Sequence, residues 1–598
     1  MSSSSVSTIN YQKALDKAFS GEWQLPQFQR DVKWKVKQNI LLFDSLRSDF
    51  PIGTFLTAKE GAITNVKPFN FSDDPSKLKK PELFELLLLD GQQRITAGIQ
   101  LFYADKNKQG TTYYIDLNRL EALLVEYKAA NKSFDIDDDD NIKHFSEELD
   151  SDSGYLVAKQ NVGDPYSFFK KKGLVFTALL RKSNESHWDT YKASYLAKYP
   201  SNKRLIEIFQ ILFRGNVTFD PIIPNIVVDS KEAKVLTRIF STLNNSGTSL
   251  TPFEITVSEM YGENIDLVSD INDFISSSMY LPRIDRDKNM ILQACLMISG
   301  STGNNHKKTN LPKSMNKDIW TKNKEDAFKS IEKLGEFLTK EMGVGLDHSS
   351  IYVPYDTALL PLIYIFNRYD ESKMTNADRT SFFKIIKYYF VSSALRLRFT
   401  EGATSKQTVD KDLLVRAIDT KDIKVIDDSL DKQFYGLDEV TNSGAKGKIM
   451  LCIQNANHLK DVLTANNISL SKDHEIHHIF PQSLLKTFSN LKFSPNHIAN
   501  LMVTDPATNK QFSHKDPVDQ VNMSKSMHSN YKDLYRAHFV TDDALKLMEK
   551  PSKTREDYHK FIEERIKTML KHVEVTYGIN SVKTDLDDKE IDSDEDSI

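Results

Sequence analysis

The stretch from Asp473 to Gln482 contains two adjacent histidines, His477 and His478, and two amides follow it at Asn500 and Asn509. Hydrolysis of a phosphodiester needs a base of near-neutral pKa to take a proton from water, and imidazole meets this need unaided. It also needs a cation beside the phosphorus, held through few protein ligands so that water and substrate can still bind. These residue types therefore predict a metal-dependent phosphodiesterase.

The same stretch contains His-Glu-x-x-His through His474, Glu475 and His478, the pattern that puts two imidazoles on one helical face in zinc peptidases. Such a helix must continue past its second histidine. Pro481 follows three residues later and would remove a backbone hydrogen bond to His477. The flanking residues favour a turn and a short extended segment, so a zinc peptidase is the weaker alternative.

The run His-His-Ile-x-Pro-Gln-Ser-x-Leu from residue 477, with the two later amides, resembles the HNH fingerprint of ββα-metal nucleases. The family holds at these positions a metal ligand, a general base, a brace of the hairpin and a second ligand. The resemblance implies these roles, in that order, for His477, His478, Asn500 and Asn509. The expected metal is Mg²⁺. Because His477 stands where many relatives have a carboxylate and nitrogen is the softer ligand, Mn²⁺ and Ni²⁺ are also candidates.

A second signal lies where the apolar run Phe84 to Leu89 leads into the segment 90–94, Asp-Gly-Gln-Gln-Arg. The run predicts a buried strand, and Gly91 permits a turn into a helix. Free amides at a helix N-terminus attract anions, and Arg94 can hold a phosphate with two hydrogen bonds. The predicted phosphate cradle consists of Asp90, Gly91, Gln92, Gln93 and Arg94. A turn closed by a structural pair between Arg94 and a carboxylate fits the same residues.

The segment 90–94 resembles the Asp-Gly-Gln-Gln-Arg box of GmrSD-type modification-dependent (type IV) restriction enzymes, and Gly-x-x-Arg-x-x-Ala resembles ParB/sulfiredoxin-like domains. Three further segments are similar to the former family: Pro-x-x-Gln-Arg-x-x-x-Trp from Pro26, Ser45 to Phe55, and Phe-x-x-x-Asn-x-x-Gly from Phe240. The resemblance implies a nucleoside triphosphate as ligand. Arg30 and Asn244 are further candidates for contact with it.

With 598 residues and 39% hydrophobic content, the chain can form three to four globular units. Cys295 and Cys452 are too far apart in sequence for a zinc knuckle, and a secreted chain of this size usually carries disulfides. No secretory signal and no apolar run of membrane-spanning length is found. The sequence predicts a cytoplasmic protein that does not enter a membrane.

The net charge of −4 is unevenly distributed, with acidic residues concentrated in Asp135–Asp140 and Asp585–Asp596. Lysines flank the HNH motif and are expected to contact DNA phosphates by releasing counterions. They are Lys446, Lys448, Lys486, Lys492, Lys510 and Lys515.

The predicted fold class is α+β and multidomain. A ParB/sulfiredoxin-like α/β domain for nucleotide binding and DNA sensing is expected at 1–261, and a mainly helical connector at 262–440. A ββα-metal (HNH) nuclease domain is expected at 441–578, after a hinge at Thr441–Gly447, and an acidic disordered tail at 579–598.

The sequence thus predicts a nucleotide-regulated, metal-dependent HNH endonuclease with NTPase activity. The expected substrate is phage or modified double-stranded DNA, and a homodimer would account for double-strand breaks. The alternative is a ParB-like, nucleotide-dependent DNA-binding switch that does not cut.

Overall fold

The structure is a computed structural model. It describes residues 3–29, 32–59, 63, 66–71, 78, 84–103, 111–160, 162, 164–215, 219–230, 232–244, 250–301, 305–345, 353–430, 432–456, 459–468 and 474–582. The chain divides into two compact units, residues 1–268 and 269–598. The α+β, multidomain class predicted from the sequence is confirmed.

Unit 1 is built on a six-stranded mixed sheet of order β1-β9-β3-β5-β2-β4 and a three-stranded antiparallel sheet of order β7-β6-β8. The predicted apolar strand is β5, whose central leucines are fully buried because it lies inside the larger sheet. The strands are β1 (Ser3–Asn10), β2 (Trp23–Pro26), β3 (Phe55–Lys59), β4 (Val66–Lys67), β5 (Leu86–Asp90), β6 (Thr111–Asp116), β7 (Leu156–Gln160), β8 (Leu174–Phe176) and β9 (Ile222–Asp229).

The helices of unit 1 surround these sheets. They are α1 (Tyr11–Ser20), α2 (Val36–Arg47), α3 (Gln92–Phe102), α4 (Leu117–Ala130), α5 (Asp139–Glu148), α6 (Ser167–Lys172), α7 (Glu185–Lys198), α8 (Lys203–Gln210), α9 (Ala233–Asn244) and α10 (Pro252–Gly262). Helix α3, predicted after Gly91, packs closely on α1. A Cβ at Gly98 would lie 2.3 Å from Tyr11 Oη, and that hydroxyl donates a 2.6 Å hydrogen bond to Arg94 O. Glycine at this position therefore sets the distance between the two helices.

The first part of unit 2 is helical, as predicted. Its helices are α11 (Leu267–Ser277, which begins at the unit boundary), α12 (Leu281–Ile284), α13 (Met290–Ile298), α14 (Leu311–Ser314), α15 (Lys317–Lys340), α16 (Leu359–Arg368), α17 (Asn376–Leu395), α18 (Ala403–Thr420), α19 (Lys424–Asp427) and α20 (Ala445–Ala456). Arg398 and Asp410 form a buried ion pair at 2.8 Å, and Arg396 pairs with Asp427. Both arginines therefore pair with carboxylates inside unit 2.

The HNH motif forms a two-stranded antiparallel sheet, β10 (Glu475–His478) with β11 (Leu501–Thr504), and a helix follows directly. This is the ββα order that the resemblance implies. The helices of this part are α21 (Gln482–Leu485), α22 (Pro506–Phe512), α23 (Pro517–Met527), α24 (Tyr531–Ala537), α25 (Asp542–Glu549) and α26 (Arg555–Tyr577).

The predicted hinge at 441–447 is a tight turn rather than an extended linker. Thr441 pairs with His497 in an antiparallel bridge, and α20 already begins at Ala445. A Cβ at Gly447 would lie 1.8 Å from Thr441 O, so only glycine allows this approach.

The first residues of the predicted tail are packed. Ile579 is buried, and Val582 N donates to Phe434 O at 2.8 Å. The rest of the tail, 583–598, lies outside the described residues. Among the helices that the structure describes, none combines the length and apolar character needed to span a bilayer.

Candidate functional site

The β10–β11 hairpin determines where the two adjacent histidines lie. Neighbouring residues of a strand point to opposite faces, so His477 and His478 have different surroundings. His477 is buried and pairs with Met502 across the hairpin, whereas His478 is half-buried and pairs with Leu501. One imidazole is therefore enclosed while the other remains accessible.

The strand geometry contradicts the zinc peptidase alternative. Because a strand rises about 3.3 Å per residue, the backbone positions of His474 and His478 lie about 13 Å apart, too far for one zinc ion. Within the described parts of the chain, no group of three or more His, Cys, Asp and Glu side chains is arranged to hold a metal. The His-Glu-x-x-His pattern is thus fortuitous here.

His477 and Asn509 meet at the base of the hairpin. His477 Nδ1 lies 2.9 Å from Asn509 Oδ1, and His477 Nε2 lies 3.2 Å from Gln520 Oε1. Two ligand atoms in adjacent positions of an octahedral sphere with bonds of about 2.1 Å lie about 3.0 Å apart. The separation of Nδ1 and Oδ1 therefore fits two neighbouring ligands of a small divalent cation.

Asp461 fixes the helix that carries Asn509. Its buried carboxylate accepts hydrogen bonds from Thr508 Oγ1 at 2.7 Å and from Asp505 N at 2.9 Å, both at the start of α22. It also accepts from the amides of Leu463 and Thr464, both at 2.9 Å. One carboxylate thus ties the start of α22 to a preceding loop.

His478 is surrounded by two exposed amides. Its Nε2 lies 2.9 Å from Asn496 Oδ1 and 3.2 Å from Gln482 Nε2, and Gln482 Nε2 also donates to Asn496 Oδ1 at 3.0 Å. Nε2 can accept from Gln482 when it carries its lone pair, and it can donate to Asn496 when protonated. Both protonation states of His478 therefore have a partner.

Asn500 holds the hairpin together from inside. It is fully buried; its Oδ1 accepts from Phe480 N at 2.9 Å, and its Nδ2 donates to Phe480 O at 3.0 Å and to Pro495 O at 2.9 Å. These bonds fix the backbone two residues after His478. Asn500 therefore has the geometry of a brace for the hairpin, which is the role that the resemblance implies. Its amide bonds to backbone groups and does not point towards the imidazoles of His477 and His478.

We expect Asn500→Ala to destabilise unit 2 by about 3 kcal/mol, because three backbone groups, two of them buried, lose this partner. Asn509→Ala is the matched control; we expect a change of less than about 1 kcal/mol, since its half-buried amide supports no backbone. Urea unfolding of the full chain measures both changes, and hydrogen exchange of the amides of Ile479 and Phe480 locates them. Equal stability of the two variants would contradict the brace.

A buried arginine from α26 anchors the other strand. Arg565 is fully buried; its Nη1 donates to Ala499 O at 2.5 Å and to Leu501 O at 3.0 Å, and its Nη2 donates to His538 O at 2.8 Å. Burial lowers the pKa of this guanidinium below its usual value. These partners are backbone carbonyls on either side of Asn500 and at the end of α24.

Three buried histidines of unit 2 have lowered pKa values, in each case mainly because burial disfavours the charged ring. The pKa of His538 falls to about 4, and those of His477 and His497 are also lowered, with hydrogen bonds opposing the effect of burial. His497 Nε2 donates to the carbonyls of Leu437 and Asp438, both at 3.0 Å. His497 is therefore a structural residue.

The stability of unit 2 should fall as the pH drops below about 6.5. The unfolded chain binds a proton on each of these histidines near 6.5, whereas folded His538 resists it until about pH 4. His538 alone accounts for a loss of about 3 kcal/mol across that window. Urea unfolding between pH 7 and pH 4 tests this, and His538→Gln, which keeps a donor for Lys460 O, should flatten the curve.

Hydrogen bonds from Arg94 hold the predicted phosphate cradle in place. Arg94 Nη1 donates to Ile52 O at 2.6 Å, and Nη2 donates to Thr54 O at 2.7 Å and to Asp90 Oδ2 at 3.1 Å. Gly91 has φ +109°, and Gly53, with φ +90°, lies so close that a Cβ there would be 2.6 Å from Arg94 Nη1. Arg94 thus forms the structural Arg–carboxylate pair that the sequence left open, and it lies beside the N-terminus of α3.

The segments that resemble GmrSD-type boxes converge on this turn. Gln93 Oε1 accepts from Lys33 N at 2.9 Å and from Trp34 N at 3.0 Å, and the rings of Phe28 and Phe240 lie 5.2 Å apart. Gln92 is buried, and Trp34 packs on the core. The predicted residue Arg30 lies outside the described residues. Asn244 is the last residue of α9, but its side chain is outside them too.

The lysines expected to contact DNA differ in their surroundings. Lys486, Lys510 and Lys515 are exposed, and Lys492 pairs with Glu563 at 3.1 Å. Lys446 is half-buried over the ring of Phe434, and burial lowers its pKa. The exposed lysines are therefore the better candidates for phosphate contact.

Sequence reasoning missed four residues of this site: Asp461, Asn496, Gln520 and Arg565. Asn496 lies four residues before Asn500, and that proximity was its only signal. The others lie 16 or more residues from the motif's histidines, and their roles depend on tertiary packing.

Two family models match this chain. Residues 11–261 match the family described as GmrSD restriction endonuclease, N-terminal domain, and residues 424–572 match GmrSD restriction endonucleases, C-terminal domain. The chain is also 24% identical, over 95% of its length and 98% of the relative's, to the uncharacterized protein MJ0686 of Methanocaldococcus jannaschii. With both domains matched in order, the chain belongs to the GmrSD restriction endonucleases, and its substrate is DNA.

Proposed function

We propose that this restriction endonuclease cuts foreign or modified DNA at the site formed by His477, His478 and Asn509, and that a nucleoside triphosphate bound in unit 1 regulates the cut. The proposed nuclease activity rests on one observation: His477 Nδ1 and Asn509 Oδ1 lie 2.9 Å apart, beside the accessible imidazole of His478. This combination offers ligand atoms and a base within one hairpin.

His478 is the general base of the proposed reaction. Its Nε2 takes a proton from the attacking water, and the resulting N–H then donates to Asn496 Oδ1, which already lies 2.9 Å away. Before water binds, Gln482 Nε2, at 3.2 Å, donates to this same lone pair and orients the neutral ring; the attacking water then takes its place. The two amides thus support the base before and after proton transfer.

His477 and Asn509 would hold the cation, with the remaining positions left to water and phosphate. When bound, a divalent cation supplies positive charge to the phosphorane and to the departing 3′ oxygen. One nitrogen and one amide oxygen, without a carboxylate, favour Mn²⁺ or Ni²⁺ relative to Mg²⁺ more than a carboxylate site would. A single such site cuts one strand, so a double-strand break requires a homodimer or repeated nicking.

The proposed nucleotide site is the turn between β5 and α3. The amides at the N-terminus of a helix attract phosphate, and Gly91, with φ +109°, forms the turn that leads into α3. Arg94 links this turn to Ile52 and Thr54, so its removal would disturb a bound triphosphate and the adjacent loop together. NTP hydrolysis at this turn is part of the proposal.

The test uses supercoiled plasmid and glucosylated or hydroxymethylated phage DNA, with Mg²⁺ or Mn²⁺ and with or without each nucleoside triphosphate. We expect cleavage of one DNA class, a change in rate with nucleotide, and loss of that nucleotide response in Arg94→Ala. Thermal unfolding of Arg94→Ala shows whether it remains folded. Full nucleotide response in a folded Arg94→Ala would contradict the cradle, and DNA binding without any cut would favour the binding switch.

A further inference from the structure

The side-chain amide of Gln520, on α23, has only one orientation compatible with its neighbours. One end of this amide faces the carbonyl oxygens of Ile479 and Lys515, both at 3.0 Å. A carbonyl only accepts hydrogen bonds, so the nitrogen of the amide must be at that end. Oε1 must then face His477 Nε2, 3.2 Å away.

This orientation determines which nitrogen of His477 carries the proton. A neutral imidazole has one N–H and one lone pair, and an amide oxygen can only accept. Because Oε1 of Gln520 faces Nε2, Nε2 must be the donor. The lone pair then lies on Nδ1, so two acceptor atoms, Nδ1 and Asn509 Oδ1, face each other at 2.9 Å, an arrangement that a cation bound to both would stabilise.

We infer that Gln520 is a positioning residue that holds His477 in the Nε2–H tautomer and so presents the Nδ1 lone pair beside Asn509 Oδ1 for a cation. The inference rests on the proposed metal role of His477 and Asn509. In metal sites, the second nitrogen of a ligating histidine commonly donates to an oxygen that fixes its tautomer and ring orientation.

The loop between α22 and α23 connects Gln520 to the second proposed ligand. Ser513 N donates to Asn509 O at 2.8 Å, and two residues later Lys515 O accepts from Gln520 Nε2. Asp516 caps α23 through Val518 N at 3.0 Å and pairs with the buried ammonium of Lys553 at 2.9 Å. The positions of Asn509 and Gln520 are therefore coupled through four residues of backbone, 513–516.

An amide suits this position better than a carboxylate. Glutamate would also accept from His477 Nε2, but it would bring a buried charge against the carbonyls of Ile479 and Lys515. Glutamine satisfies both carbonyls and the imidazole at once. Gln520→Glu should therefore keep the tautomer of His477 while lowering stability, whereas Gln520→Leu should lose both.

The first experiment reads the tautomer directly, in the metal-free full-length protein. Long-range ¹H–¹⁵N spectra of histidine-labelled protein distinguish Nε2–H from Nδ1–H, and the spectrum of His477→Gln identifies the His477 signals. We expect Nε2–H in the wild type and in Gln520→Glu, and a mixture of tautomers in Gln520→Leu. A wild-type His477 that is protonated on Nδ1 would overturn the inference whether or not any variant folds.

The second experiment measures Mn²⁺ binding by electron paramagnetic resonance. We expect Gln520→Leu to bind Mn²⁺ about 10- to 100-fold more weakly than the wild type, and Gln520→Glu to stay close to it. The matched control is Gln454→Leu, because Gln454 is also buried and donates to a backbone carbonyl, Leu501 O, at 3.5 Å. Its Mn²⁺ affinity should not change.

The outcomes separate this inference from the proposed function. Unchanged Mn²⁺ affinity and tautomer in Gln520→Leu would overturn the role of Gln520. Mn²⁺ affinity that falls only in proportion to stability, equally in the glutamate, leucine and Gln454 variants, would also overturn it. A wild type that binds no Mn²⁺ but shows the Nε2–H tautomer would instead count against the proposed metal site.

Discussion

His478→Ala should lower the rate of DNA cleavage by about 10²- to 10⁴-fold, the usual contribution of a positioned general base. The half-buried ring makes no backbone hydrogen bond in the structure, and its contacts are the exposed amides of Asn496 and Gln482. Folding and DNA binding should therefore survive the substitution. Single-turnover cleavage with excess protein measures the effect on the chemical step.

The matched control for this variant is His514→Ala. His514 is exposed, and its Nδ1 lies 3.1 Å from Ser513 Oγ. We expect it to cleave DNA at close to the wild-type rate. A His478→Ala protein that cleaves as fast as this control would exclude His478 as the base and would point to a base supplied by another residue or by the substrate.

Arg565→Met should destabilise unit 2 by about 3 kcal/mol, because carbonyls of three residues lose their donor in a dry interior. Removal of the buried positive charge should by itself stabilise the folded state. Burial disfavours that charge, as the lowered pKa of the guanidinium indicates. The unsatisfied carbonyls outweigh this relief because methionine offers no donor to Ala499, Leu501 or His538. The loss should be concentrated at β11.

Urea unfolding of the full chain measures the total loss for Arg565→Met, and hydrogen exchange of residues 499–504 locates it. Arg536→Met is the control, because Arg536 is half-exposed and pairs with Asp533 and Asp542 at the surface. Such a pair contributes about 0–1 kcal/mol. Unfolding midpoints for Arg565→Met and Arg536→Met that agree would show that Arg565 is not an anchor of the strand.

Local patterns predicted the elements of the fold well. The apolar run that leads to Asp90 forms a buried strand, and a helix begins directly after Gly91, as predicted. The residues before Pro481 form a strand and not the helix that a zinc peptidase needs. The helical middle also followed from its spacing of apolar residues. In each case the local sequence was sufficient for the prediction, because residues adjacent in sequence determine the backbone conformation there.

The details of the site depended on residues that short-range patterns do not reveal. Gln520 and Arg565 lie in helices whose sequences contain no recognisable motif. Their roles come from their contacts with the hairpin, to His477 and to the carbonyl of Ala499. The sequence left open whether Arg94 contacts a phosphate or pairs with a carboxylate, and the structure gives its guanidinium two carbonyls and a carboxylate. Partners separated by 40 or more residues are set by tertiary packing.

The metal dependence of plasmid nicking tests the central claim most directly. Nicking by the wild type should rise and saturate with Mn²⁺ or Mg²⁺, disappear with a chelator, and require at least about tenfold more metal in Asn509→Ala. Cleavage that persists without metal, or identical metal dependence in the wild type and Asn509→Ala, would contradict the account of the His477–Asn509 site.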